Sequence, residues 1–157
     1  MRAGLRADPV MNFREITPAD LPALILVRID AVENRATLEG LTSIGVTIES
    51  TTQRLATTHK GWLCEIGGVP VGFTIGNGST GELEVIAVLR AYEGRGIGRK
   101  LMAFIQDWLW SQGSEKLWLT TGLPPSRAYH MYTKLGWTNV GLLAHGGSVR
   151  MELDKPL

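Results

Sequence analysis

The fold is decided by the stretch Val85-Ile86-Ala87-Val88-Leu89-Arg90-Ala91-Tyr92-Glu93-Gly94-Arg95-Gly96-Ile97-Gly98-Arg99-Lys100-Leu101. Its pattern predicts a buried strand, then a glycine-rich turn, then the start of an amphipathic helix. The glycines at 94, 96 and 98 let the backbone approach a ligand closely, because they carry no Cβ. The first amides of a helix have no partner within it, and together with the helix dipole they form an anion site.

Positive charge beside this turn favours a phosphate-binding site over a purely structural turn, and it comes from Arg95, Arg99 and Lys100. Two other phosphate-binding motifs are excluded by spacing. A P-loop places glycine directly before lysine, whereas Arg99 stands there. The dinucleotide fingerprint G-x-G-x-x-G needs a glycine where Leu101 stands.

The bulk composition is that of an ordinary globular domain. The chain has 157 residues, of which 44% are hydrophobic and 20% charged, and its formal net charge is +1. The lack of a basic excess argues against a nucleic-acid partner, and no apolar run is long enough to span a membrane. Cys64 is the only cysteine, which excludes an internal disulfide and agrees with a reducing compartment, so we expect a cytoplasmic protein.

The pattern along the chain predicts one mixed α+β domain over residues 10–157, after a flexible extension at 1–9 that lacks the apolar stretch of a secretory signal. A first helix is expected after Thr17, which can cap it. The other predicted helices cover 37–44, 47–58, 96–112 and 125–135. The predicted strands cover 10–16, 61–66, 69–76, 82–89, 116–121, 137–143 and 148–153.

Two separated stretches carry a resemblance to a known family. Residues 86–98 resemble the acetyl-CoA motif of the GNAT superfamily of N-acetyltransferases, in which Gly96 and Gly98 match the two small positions. Glu93 departs from that motif, which usually begins with glutamine or arginine. Residues 127–137 are similar to a later GNAT motif, in which a tyrosine, here Tyr132, lies four residues before a glycine; the usual asparagine is replaced by Pro125-Ser126.

The resemblance implies a GNAT fold: a mixed, mostly antiparallel sheet with a parallel pair splayed at its centre, flanked by helices. It also implies acetyl-CoA as cosubstrate, with the pantetheine arm pairing along the backbone of Ile86 and Val88. No metal is expected, because the histidines are scattered. The residues expected to bind the cofactor are Ile86, Ala87, Val88, Glu93, Gly94, Arg95, Gly96, Ile97, Gly98, Arg99, Lys100, Ser126 and Tyr129.

Acetyl transfer to an amine needs a base, because only about one lysine-like amine in 10³ is neutral at pH 7. Glu84 is our first candidate and Glu82 the second; two apart on a strand, they are expected to share a face. Both can also be read as solvated residues near a turn. The resemblance gives Tyr132 the role of general acid toward the departing thiolate, although an aromatic side chain packed on the sheet fits the same pattern.

The function implied by the resemblance is direct transfer of an acetyl group to a primary amine. Two alternatives remain: a non-catalytic acyl-CoA-binding or sensing module, and an enzyme that acetylates a protein N-terminus or lysine rather than a polyamine, aminoglycoside or amino acid. Trp118 and the segment with Glu33, Asn34, Arg35 and Glu39 are candidates for contact with the acceptor. An edge strand within 137–153 suggests a homodimer by analogy.

Overall fold

The computed structural model describes residues 10–31 and 37–157. The extension expected at 1–9, and Glu33, Asn34 and Arg35 among the acceptor candidates, lie outside the described residues. Seven strands form one sheet: β1 (Met11–Glu15), β2 (His59–Ile66), β3 (Val69–Asn77), β4 (Glu82–Val88), β5 (Lys116–Gly122), β6 (Thr138–Leu142) and β7 (Ser148–Asp154). Each begins and ends within one or two residues of its predicted bounds.

Within residues 10–31 and 37–157, five α-helices lie between these strands, and each was expected from the sequence. A short 3₁₀ turn at Pro18–Asp20 precedes the first of them, and Arg90–Tyr92 forms another before the fourth. Thr17, Thr37 and Thr47 stand at the helix starts, where their side chains accept backbone hydrogens or form a capping box. The helices are α1 (Leu21–Asp30), α2 (Leu38–Ser43), α3 (Ile48–Thr57), α4 (Ile97–Ser111) and α5 (Arg127–Lys134).

The sheet is antiparallel except at its centre, and this confirms the predicted fold class. The strand order is β1-β2-β3-β4-β5-β7-β6, with β4 and β5 parallel. These two strands share a single registered pair, Glu82 with Trp118. Beyond that pair they diverge toward their carboxyl ends. The parallel pair is therefore splayed, and the gap between its strands is the natural place for a ligand.

A β-bulge interrupts β4 at Glu84. Ile75 of β3 is registered with Val85, but the next residue, Gly76, is registered with Leu83, so Glu84 has no opposite residue. The buried side chains show the consequence, because Leu83 packs with α4 whereas Val85 packs with α1. Glu82 and Glu84 were expected to share a face by regular alternation. The bulge follows this pair, so it breaks the alternation between Leu83 and Val85 and does not contradict that expectation.

Two helices cover the two faces of the sheet around this bulge. The apolar side of α4 covers one face through Ile97, Leu101, Met102, Ile105 and Leu109, all buried. The helix comes close to β3 because Gly76 has no side chain; a Cβ there would lie 2.8 Å from Cδ1 of Ile105. On the other face, α1 buries Leu21, Leu24 and Val27. Burial of each such side chain contributes about 1.5–3 kcal/mol.

The C-terminal strands complete the sheet beyond the gap. Leu117, Leu119, Val149 and Met151 are buried against α4 and α5, whereas all five residues of the edge strand β6 are exposed. Within the described part of the chain, no helix combines the length and the apolar character needed to cross a bilayer.

Candidate active site

A cleft of about 820 Å³ opens where β4 and β5 diverge. One wall is β4 from Leu83 to Val88, and the opposite wall is the end of β5 together with α5. The turn before α4 and the first residues of α4 close one end. The position follows directly from the splayed pair, because two strands that share one registered pair leave a gap that only a ligand or side chains can fill.

Most of the site residues predicted from the sequence line this one cleft: Glu84, Ile86, Ala87, Val88, Glu93, Gly94, Gly96, Ile97, Gly98, Arg99 and Tyr132. Four others lie outside its lining. Arg95 stacks over the Tyr92 ring at 4.8 Å, and Lys100 stands 5.2 Å over the Phe13 ring. Ser126 caps α5 by accepting the Tyr129 amide hydrogen at 3.0 Å, and the Tyr129 hydroxyl is 3.4 Å from the Asn139 amide nitrogen.

The turn between β4 and α4 has the backbone of an anion site. Gly94 and Gly96 have φ angles of 77° and 80°, in the left-handed region that glycine adopts without strain. Gly96 is the residue before the helix, and no side chain caps it. The first hydrogen bond back to Gly96 comes from Lys100, so the amides of the helix's first turn point out of its end into the cleft. Such an end attracts phosphate oxygens.

Two carboxylates of β4 have different surroundings. Glu84 lines the cleft, and its Oε1 lies 2.8 Å from Nε2 of His59. Glu82 does not line the cleft; burial and the neighbouring charge of Glu84 raise its pKa to about 6, against the opposing influence of Arg150. Glu84 therefore lies at the cleft, whereas Glu82 lies outside its lining and holds its proton to a higher pH than an ordinary glutamate.

Positive charge also faces Glu84 from α1. The guanidinium of Arg28 is in the electrostatic field of Glu84, and its Nε is buried without a hydrogen-bond partner among the described residues. Burial lowers the pKa of Arg28, and the charge of Glu84 opposes that effect.

Tyr132 approaches the cleft from α5. It is 5% exposed and packs against the indole of Trp137, with the ring centroids 6.2 Å apart. Its position in the helix follows from the sequence, because the apolar side of α5 must face the sheet. Glu84 and Tyr132 thus stand on different walls of one cleft.

Sequence reasoning missed several lining residues. Arg127, His130, Met131 and Lys134 of α5 line the cleft, and their spacing of three and four residues is the signal that a helical projection would have found. His59 is missed for another reason: its strand begins two residues earlier than predicted. In the sheet His59 is registered with Asn77, and Asn77 with Glu82. Counting back from the Gly67-Gly68 turn places His59 opposite Gly76 instead, because a register shift at Cys64 and Glu65 offsets the pairing by one residue.

The structure also gives the surroundings of Cys64 and Trp118, two side chains that were singled out in the sequence. Cys64 is fully buried, and burial raises the pKa of its thiol, as befits an unreactive core residue. Trp118 is partly buried beside Glu82; its Nε1 donates to the Thr80 carbonyl at 3.1 Å, and Arg150 stacks over its ring at 4.3 Å. Among the residues that the structure describes, no three histidine, cysteine or carboxylate side chains come together as a metal site would require.

Known structures share this architecture. The PaiA N-acetyltransferase of Thermoplasma acidophilum, solved in complex with coenzyme A, has a TM-score of 0.78 at 16% identity, over 93% of this chain and 99% of that one. The ribosomal-protein-S18-alanine N-acetyltransferase of Escherichia coli has a TM-score of 0.73 at 19% identity, over 94% and 96%. The ribosomal-protein-alanine N-acetyltransferase of Brucella melitensis has a TM-score of 0.73 at 23% identity, over 92% and 99%.

These TM-scores show that the proteins share a fold. No curated relative matches the sequence at a significant level. The family model described as the acetyltransferase (GNAT) family matches residues 29–137, which is more than half of the chain and includes both β4 and the turn before α4. The chain therefore belongs to the GNAT family of acetyltransferases.

Proposed function

We propose that this protein binds acetyl-CoA in the cleft between β4 and β5 and transfers the acetyl group directly to a primary amine. One observation carries the proposal: the cleft brings the uncapped start of α4, the edge of β4, Glu84 and Tyr132 to one place. Phosphate binding, a path for an extended arm, a base and an acid are the parts that such a reaction needs.

The chain's own groups fit the cofactor. The first amides of α4 and the side chain of Arg99 would hold the pyrophosphate, with Gly96 leaving room because nothing lies within 4 Å of its absent Cβ. The arm would run along β4 past Ile86 and Val88, where β5 has already diverged. When bound, acetyl-CoA supplies an acetyl group activated as a thioester.

The protein's contribution to the chemistry is proton handling and orientation. Glu84 would accept a proton from the incoming ammonium, so that the amine attacks in its neutral form. A backbone amide near Ile86 would polarise the carbonyl oxygen, and the Tyr132 hydroxyl would deliver a proton to the departing sulfur. The new bond from the acetyl carbon to nitrogen would form, and the bond to sulfur would break, in one ternary complex. No acyl group would be carried on the protein, and the full burial of Cys64 agrees with this.

The acceptor is expected to be cationic before it reacts, because a primary amine has a pKa near about 10.4 and Glu84 presents a carboxyl group at the cleft. Polyamines, aminoglycosides, amino acids and peptide N-termini all meet this condition. The names of the Escherichia coli and Brucella melitensis enzymes favour a protein N-terminal alanine as the second candidate. Competition by a short peptide with a free N-terminus separates that candidate from a small-molecule acceptor.

Calorimetric titration with acetyl-CoA tests the proposal, with Gly96→Glu and Gly146→Glu as a matched pair. Both glycines have positive φ, 80° and 76°, and neither has an atom within 4 Å of its absent Cβ, so the backbone strain is comparable. Only Gly96 lines the cleft. We expect micromolar binding to be lost in Gly96→Glu and kept in Gly146→Glu. Absence of binding to the unaltered protein would contradict the cofactor assignment.

Binding without turnover separates the sensing module from the enzyme. If acetyl-CoA binds but no amine in a panel of polyamines, amino acids and peptides releases coenzyme A, the non-catalytic alternative is favoured.

Association of two copies along β6 stays a prediction. The edge strand exposes Val140 and Leu142, at 50% and 66%. Sedimentation at micromolar concentration, with Val140→Lys as the comparison, measures it.

A further inference from the structure

A short hydrogen-bonded chain runs from the cleft to the protein surface. Glu84 Oε1 lies 2.8 Å from Nε2 of His59, and Nδ1 of the same imidazole lies 2.6 Å from Oγ1 of Thr58. The His59 side chain is 6% exposed and that of Glu84 is 30% exposed, while Thr58 is exposed. An imidazole buried between a carboxylate and a hydroxyl is held at both nitrogens.

The two partners select one arrangement of the imidazole proton. An ionised carboxylate can only accept, so Nε2 must carry the hydrogen that bonds to Glu84. Nδ1 is then the acceptor, and the Thr58 hydroxyl can donate to it. Thr58 therefore acts on Glu84 through the imidazole, because its hydrogen bond to Nδ1 holds the ring in the orientation that presents Nε2 to the carboxylate.

We propose that His59 is a positioning residue for Glu84, with Thr58 holding the orientation of its ring. This inference rests on the proposed function, in which Glu84 is the base. His59 occupies one carboxylate oxygen and leaves the other for the acceptor amine, so the base faces the cleft in one orientation. The need for such a restraint follows from the bulge, because Glu84 has no opposite residue on β3 to hold it.

The other charges near Glu84 do not supply this restraint. Arg28 of α1 acts on Glu84 through its field and makes no ion pair with it among the described contacts. Glu82 repels it. Only the His59 contact fixes a direction, since a hydrogen bond is directional and a charge at a distance is not. A histidine with a purely structural role would affect folding and not the orientation of Glu84, so the two roles predict different kinetics.

A double-mutant cycle makes the separation. Turnover is measured by coenzyme A release with the best acceptor among spermidine, L-lysine and an alanine-initiated peptide, using His59→Leu, Glu84→Gln and both together. We expect His59→Leu to lower kcat at least tenfold with the KM for acetyl-CoA unchanged, and to have no further effect in Glu84→Gln. His59→Gln, which keeps a donor, should recover part of kcat.

Thr58 and Thr57 give a matched pair on the surface. Thr58→Val removes the hydroxyl that bonds His59, whereas Thr57→Val removes one that bonds only to carbonyls of α3. We expect kcat to fall about threefold in Thr58→Val and to stay unchanged in Thr57→Val. These variants keep the experiment informative if His59→Leu fails to fold, because an exposed Thr→Val change preserves shape.

A spectroscopic readout requires no acceptor. A long-range proton–nitrogen correlation spectrum of the labelled protein should show His59 protonated at Nε2. A mixture of tautomers is expected in Glu84→Gln, because an amide can donate as well as accept. An Nδ1 proton in the unaltered protein would overturn the proposal whatever the acceptor.

The outcomes also distinguish this inference from the function on which it rests. If Glu84→Gln abolishes turnover but His59→Leu does not change it, or if the two effects add, the positioning role is wrong and the base assignment stands. If Glu84→Gln retains full turnover, both are wrong.

Discussion

The guanidinium of Arg127 lies 3.3 Å from the carboxylate of Glu93, so the first residue of α5 is tied to the turn that precedes α4. The Nη2 atom of the same guanidinium lies beside Gly94, and a Cβ at Gly94 would be 3.2 Å from it. The resemblance left Glu93 as a departure from the family's usual glutamine or arginine, and the structure places a cation from another helix beside it. The Arg127 and Glu93 side chains are 62% and 25% exposed, and such a pair contributes only about 0–1 kcal/mol.

Glu93→Gln is expected to tighten acetyl-CoA binding by about two- to fivefold, because it removes a negative charge beside the turn that is proposed to hold the pyrophosphate. Arg127→Met is expected to weaken binding by a similar factor. Calorimetric titration at low salt measures both, and the difference should shrink at high salt. Lys155→Met, which removes an exposed cation outside the cleft, is the control. Weaker binding in Glu93→Gln would show that the carboxylate supports the turn instead of opposing the ligand.

The difference in stability between Glu82→Gln and the unaltered protein should depend on pH. Burial and the charge of Glu84 raise the pKa of Glu82 from 4.5 to about 6. Between these values the folded state binds more protons than the unfolded state, so the free energy of unfolding decreases as the pH rises through this range. Glutamine does not titrate, so Glu82→Gln avoids this decrease in the free energy of unfolding. Because Glu82 is only half buried, solvent screening limits the gain above pH 6 to about 0.5–1 kcal/mol.

Denaturant unfolding at pH 4.5 and pH 7.5 measures this gain, with Glu115→Gln, an exposed glutamate in the loop before β5, correcting for the loss of one negative charge. A stability difference between Glu82→Gln and the unaltered protein that is the same at both pH values would contradict the assignment.

Tyr132→Phe should lower kcat by about tenfold or less while leaving the KM for acetyl-CoA unchanged. A thiol has a pKa near 8.5, so protonation of the leaving group assists the reaction without being essential. The ring remains in place against Trp137, which keeps the packing of a side chain that is 5% exposed. Steady-state kinetics with thermal unfolding alongside separates the two effects. A variant that unfolds earlier and binds acetyl-CoA poorly would indicate a packing role.

Thr74→Val should disturb the bulge that presents Glu84. The Thr74 side chain is fully buried, and its hydroxyl donates to the Val85 carbonyl at 2.8 Å, next to the extra residue. Loss of this bond leaves the carbonyl unsatisfied and is expected to lower the free energy of unfolding by about 1–2 kcal/mol. Turnover should fall as well, since Glu84 loses its support. Thr74→Ser keeps the hydroxyl and should retain turnover, and equal turnover in the two variants would show that the bulge does not depend on this bond.

The element order and the glycine-rich turn before α4 could be predicted because both rest on local rules. Capping threonines, the Gly67-Gly68 turn and the apolar spacing of α4 each act within a few residues, and the strands and helices begin and end close to their expected positions. The bulge could not be predicted, since it arises from the pairing of β3 with β4 and leaves no mark in the alternation of Glu82 to Val85.

By itself, then, the sequence determined the strand–turn–helix unit, the order of the elements and those cleft residues that belong to β4 and the turn after it, because hydrophobic periodicity and glycine backbone freedom are properties of neighbouring residues. Only the tertiary structure decided which distant groups meet. His59 reaches Glu84 across 25 residues, and Arg127 reaches Glu93 across 34. Such contacts depend on strand register and helix packing, which are set by the burial of the whole core and which no short stretch of sequence contains.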